Sequence, residues 1–200
     1  TTLALTFSRA GIAASALAVL SVAWCERAHA RRVLVPYLVG LAVGIAADAG
    51  WIAAARTLPL LRARDVHGDY AGGVGHRSEL WRAAIFFFRH HPLLGIGAGN
   101  YERELADAGL VGVRTHANSW YLQALAEGGI VLFAATLGWI ATAIAMLRAR
   151  LHVSPWALGA FAATLALVAH QFVDYLVFYP KVAEPWILLI ALGLAAPPAD

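Results

Sequence analysis

Charge is scarce in this chain: 14% of its 200 residues are Asp, Glu, Lys or Arg, against 60% hydrophobic, and the mean hydropathy is +0.67. A water-soluble domain of this length needs more polar cover, so the composition excludes one and points to an integral membrane protein. Cysteine is scarcer still. Cys25 stands alone, which excludes an intrachain disulfide, and a lone thiol beside an apolar stretch packs as a small hydrophobe. A charged amino-terminal region is also missing: Thr1 to Ser8 is largely apolar, so the opening does not look like a signal peptide, and the chain reads as a fragment lacking its amino-terminal part. Gly95-Ile96-Gly97-Ala98-Gly99-Asn100 follows no strand pattern and matches neither nucleotide-loop spacing. It is expected to be a tight turn.

What the chain has instead is apolar length. A bilayer core needs about 20 mostly apolar residues per helix, and five stretches approach or meet that: Ala10 to Cys25, Val33 to Ala55 with Asp48 inside it, Gly128 to Leu147, Val153 to Val173, and Pro185 to Ala199. The expected fold is therefore all-α, a polytopic membrane helical bundle of about five spans. The whole of residues 1–200 is expected to form one membrane domain. Basic residues in short loops stay cytoplasmic. The turns holding Arg27, Arg31 and Arg32, and Arg148 and Arg150, should lie inside. Parity then places the long loop, residues 56–127, on the outer side.

That loop carries the chemistry. Eight arginines and five histidines lie between Arg56 and His116, with six carboxylates among them, and guanidinium forks suit phosphate or pyrophosphate at a membrane surface. Most of these charges are expected to pair with one another in solvent. Ser78 to His91 reads as an amphipathic helix capped by Ser78 and ended by Pro92, with Leu80, Trp81, Ala84, Ile85 and Phe88 on one face. Arg77, at its amino end, would reinforce an anion site there. Arg9, with apolar sequence on both sides, is either a headgroup anchor or a functional charge. Asp65, His67 and Asp69 alternate like metal ligands, but nothing nearby completes a coordination sphere, so no metal and no cofactor is expected. His170 and Asp174 are expected to pair on one helix face.

In order, T-F-S-R-A-G, G-H-R-S-E-L-W-R-A-A, H-P-L-L-G-I-G-A-G-N-Y, H-A-N-S-W-Y-L-Q-A-L-A-E-G-G-I and A-H-Q-F-V-D-Y resemble the O-antigen ligase and O-antigen polymerase superfamily, in its carboxy-terminal half. The resemblance implies a metal-independent glycosyltransferase of the bacterial inner membrane. It would take a glycan from an undecaprenyl pyrophosphate carrier and pass it to an acceptor hydroxyl on a glycolipid or another glycan, with membrane lipids as partners and no nucleic acid. It places Arg9 and Arg77 on the pyrophosphate. Anchored on Leu122, Gln123, Ala126, Glu127 and Gly129, the ligases' essential histidine falls on Asn118, with His116 two residues before it.

Asn118 cannot accept a proton near neutral pH. Three alternatives follow: His116 takes the role of base or orients the acceptor, another group such as His76 or Glu127 serves, or no side chain acts as base. Asn118 is assigned to substrate binding, and its ordinary job would be to cap a helix starting at Ser119. The rival from another class is a membrane protein that binds or transports the lipid-linked glycan without reacting it.

Overall fold

A computed structural model describes residues 9–57, 74–152 and 154–195, with the side chains of Arg9, His29, 47–57 and 74–76 outside that description. Among the described residues the fold is all-helical, without strands. Two compact units divide the chain, residues 1–72 and 73–200. The first holds α1 (Arg9–Cys25), a single 3-10 turn (Arg27–His29) and α2 (Ala30–Thr57). Ser15 and the Tyr37 hydroxyl hydrogen-bond across this helix pair at 2.9 Å.

The second unit holds α3 (Val74–His90), the short α4 (Tyr101–Glu104), α5 (Trp120–Ala149), α6 (Pro155–His170) and α7 (Pro180–Ala195). Helices therefore stand on all five apolar stretches. One, α5, is both long and apolar enough to cross a bilayer, while Ala10–Cys25 and Pro155–His170 are apolar but shorter. Along α5, Val131, Leu137, Trp139 and Met146 are exposed, a surface suited to lipid. Its other side packs on α6 and α7 through small residues: Gly193 lies against Ala160, Ala157 and Leu147, as close helix approach in a membrane requires. Trp186 anchors this contact, donating to the Thr164 hydroxyl at 3.1 Å.

Three local expectations need correction. Helix α3 begins at Val74, so Ser78 lies inside it and is not its cap. Its buried face is Leu80, Ala83, Ala84 and Phe87, while Ile85 and Phe86 are exposed; the face turns because Tyr101 and Leu105 pack on it. Finally, α7 starts at Pro180, with Pro185 inside it. A proline at the first helical position loses no bond that the helix would make.

The glycine-rich segment is a turn with a second task. At Gly129 (φ 59°, ψ −157°) α5 breaks, a region open in practice to glycine alone. The break frees Ala126 and Glu127 carbonyls and the Ile130 and Val131 N–H groups. The segment Pro92 to Gly97 takes all four: Ile96 N–H donates to Ala126 O and Gly97 N–H to Glu127 O, both at 2.9 Å, while Ile130 N–H donates to Pro92 O at 2.8 Å and Val131 N–H to Leu93 O at 3.4 Å. No freed group is left unpaired, which is what burial demands. The exchange ties α3 and its loop rigidly to the head of α5.

Candidate functional site

Polar side chains of the second unit gather where α5 begins. Ser119 caps this helix, accepting from Leu122 N–H at 3.5 Å. Asn118 does not cap it: the helix starts at Trp120 and Asn118 sits at φ 49°, the one non-glycine left-handed residue among those described. The chain reverses here before entering the helix, and asparagine tolerates that conformation better than most residues. The Trp120 N–H donates to the Gln171 carbonyl at 3.0 Å and the Asp174 carbonyl at 3.1 Å. That shared donor pins the turn after α6 directly onto the α5 start.

Inside α5, Gln123 and Glu127 brace the approach. Ala117 N–H donates to Gln123 Oε1 at 2.8 Å, and Gln123 Nε2 donates to Glu127 Oε1 at 2.9 Å. Tyr101 N–H reaches the same Glu127 oxygen at 3.2 Å. Glu127 thus links three chain segments. Burial, with the Glu127 carboxylate adding to it, pushes the Tyr175 hydroxyl above its ordinary value. Tyr175 therefore stays protonated and can donate.

His116 is half-buried and faces an aromatic cluster, with Tyr175, Phe178 and Tyr179 at 5.6, 5.7 and 6.3 Å between ring centroids. Its Nδ1 accepts the Asn118 N–H at 3.3 Å. That bond favours the neutral tautomer with the proton on Nε2, so the outward nitrogen is a donor.

Arg77, in the first turn of α3, is half-buried. Among the described residues it makes no ion pair or hydrogen bond, yet its charge acts on His170. His170 ends α6, and its Nε2 lies 3.9 Å from Asp174 Oδ2. The two meet as the spacing suggested but do not share a helix; Asp174 stands in the turn beyond, where its Oδ1 accepts the Tyr175 N–H at 2.8 Å. Next to His170, the wholly buried Gln171 accepts the Leu176 N–H through its Oε1 at 3.0 Å, while its Nε2 has no partner among the described residues.

The structure thus brings Arg77, His116 and Asn118 to one end of the second unit. Arg9 opens α1 in the other unit, and its side chain lies outside the described residues, as do the side chain of His76 and all of Asp65, His67 and Asp69. The turn holding His170, Gln171 and Asp174 carries more of the site than its sequence suggested. Its sequence signals were the A-H-Q-F-V-D-Y motif and the expected pairing of His170 with Asp174 at the end of an apolar run.

A family model described as O-antigen ligase matches residues 1–137, a stretch that takes in α1 and runs to the middle of α5. The chain belongs to the O-antigen ligase family. It is accordingly a membrane protein of O-antigen ligase or polymerase type, a glycosyltransferase-like function in polysaccharide and lipopolysaccharide biosynthesis, and this family acts on lipid-linked glycans. Comparison with curated proteins finds none that matches the chain. The match ends before α6, so the His170 to Tyr175 turn of this O-antigen ligase family member lies beyond the matched residues.

Proposed function

We propose that the protein transfers a glycan from an undecaprenyl pyrophosphate carrier to an acceptor hydroxyl at the periplasmic face of the bacterial inner membrane, without a metal or cofactor. The observation that carries this reading is Arg77, a half-buried guanidinium without an ion pair among the described residues, acting on the same turn against which His116 packs. A cation left unpaired in partly buried surroundings is suited to an anionic ligand. Pyrophosphate becomes a good leaving group once its charge is offset, so Arg77 supplies much of the transition-state stabilisation; Arg9 is carried as a second cation from the family resemblance alone.

His116 belongs to the acceptor side. Its Nε2–H donates to an acceptor hydroxyl and orients the sugar, while the exposed Phe178 and Tyr179 rings beside it offer flat apolar faces for a sugar ring to stack on. Asn118 holds the turn that aims His116, and its amide reaches a substrate hydroxyl. Residues 56–127 form the periplasmic loop. A polymerase differs in using a second lipid-linked repeat as acceptor, and Asn118 favours that reading because it removes a base from the position where the ligases carry histidine.

The test is complementation of a ligase-deficient and a polymerase-deficient strain by the full-length protein. Arg77→Ala is expected to lower transfer by about 10²–10³-fold, seen as loss of the polysaccharide ladder on gels. Full activity of both Arg9→Ala and Arg77→Ala would overturn the site.

A further inference from the structure

Resting on the transfer reaction above, we infer that His170, with the Asp174 carboxylate beside it, takes the proton from the acceptor hydroxyl. Among the described residues, four other groups at this end of the unit are engaged or unsuited as a base. Asn118 has no proton-accepting nitrogen. His116 has its Nδ1 engaged by the Asn118 N–H, which leaves a donor on the outward side. Glu127 Oε1 already accepts from Tyr101 N–H and Gln123 Nε2 and serves as a structural strut. Tyr175 stays protonated beside it.

His170 is different. Its Nε2 faces the Asp174 carboxylate at 3.9 Å, and among the described residues nothing hydrogen-bonds its Nδ1. At that separation the carboxylate acts through its charge and not through a hydrogen bond, and its charge favours the tautomer with the proton on Nε2, which leaves the lone pair on Nδ1. Asp174 is itself fixed, through its Oδ1 to Tyr175 N–H and through its carbonyl to Trp120 N–H. The second of these bonds sets the pair beside the start of α5, two residues from Asn118. Arg77 from α3 and Asp174 from the adjoining turn are the charges that act on His170, so the base lies within electrostatic reach of the cation assigned to the pyrophosphate.

The step balances. The acceptor oxygen bonds to the anomeric carbon as the bond from that carbon to the pyrophosphate oxygen breaks. The electron pair leaves on the pyrophosphate, where Arg77 offsets its charge, and the acceptor proton passes to His170 Nδ1.

The test uses the full-length protein in lipid nanodiscs, with an undecaprenyl-pyrophosphate-linked repeat unit and lipid A-core from its cell of origin as probes. His170→Gln is expected to lower kcat by about 10²–10⁴-fold, to leave KM for the donor within about twofold of its original value, and to remove the acidic limb of the pH–rate profile. Asn118→His added to His170→Gln returns an imidazole to the adjoining turn and is expected to recover at least tenfold in kcat, which repair of a misfolded protein would not explain. Asp174→Asn is expected to reduce kcat while keeping an acidic limb, at a shifted position. Unchanged kcat in His170→Gln, or a loss shared equally with donor binding and not recovered by Asn118→His, overturns the assignment. If the unmodified protein transfers nothing, the transfer reading itself fails; if it is active and His170→Gln equals it, only the base is wrong.

Discussion

Asn118 shows how one residue serves backbone and site together. At φ 49° an ordinary L-residue costs roughly 1–2 kcal/mol. Asn118→Ala is therefore expected to lower stability by about 1 kcal/mol, whereas Asn118→Gly is neutral, as measured by thermal unfolding in detergent micelles. Histidine also enters this conformation more readily than most residues, so Asn118→His should unfold close to the unmodified protein. A drop as large as that of Asn118→Ala would show that the turn selects asparagine for its own side chain. The sequence showed asparagine before a helix and suggested a cap; only the backbone reveals that Ser119 caps and Asn118 turns.

At the scale of elements, the joint between α5 and the glycine-rich loop holds the site. A Cβ on Gly129 would run into the Leu93 carbonyl group, and one on Gly95 into that of Glu127. Both are backbone groups that cannot yield. Gly129→Ala is expected to cost more than about 3 kcal/mol, since it adds a clash to strain, and to expose the loop to limited proteolysis. Gly138, in the same helix with nothing within 4 Å of where a Cβ would stand, is the control: Gly138→Ala should gain up to about 1 kcal/mol. Equal behaviour of the two variants would remove the joint from the account. The alternation of glycines signalled a turn, but not its partner, because the four exchanged hydrogen bonds join residues 30 or 38 apart and leave no local pattern.

For the whole molecule, the prediction concerns sidedness. The basic turn at Arg148 and Arg150 should lie inside and the loop outside. In a Cys25→Ala background, Ala98→Cys, at an exposed site, should react with a membrane-impermeant maleimide added to cells with a permeabilised outer membrane. Ala149→Cys, also exposed, should react only after the inner membrane is opened. The reverse pattern would place the proposed reaction on the wrong side for its carrier.

The sequence by itself determined the class. Scarce charge and long apolar runs exclude a soluble fold, the helical segments follow from those runs, and the order of motifs points to the family that the match over residues 1–137 shows. The first two are properties of composition and local period, which need no partner to be read, and the third is a resemblance of motifs. Tertiary structure alone decided which polar groups meet. It set the His170 to Asp174 turn on the start of α5 through one backbone N–H, brought Arg77 within electrostatic reach of His170, and assigned the Nδ1 of His116 a donor of its own. The first two join segments far apart in the chain, and the third, though local, depends on the turn that Asn118 makes, since a hydrogen bond's donor and acceptor roles depend on what stands opposite.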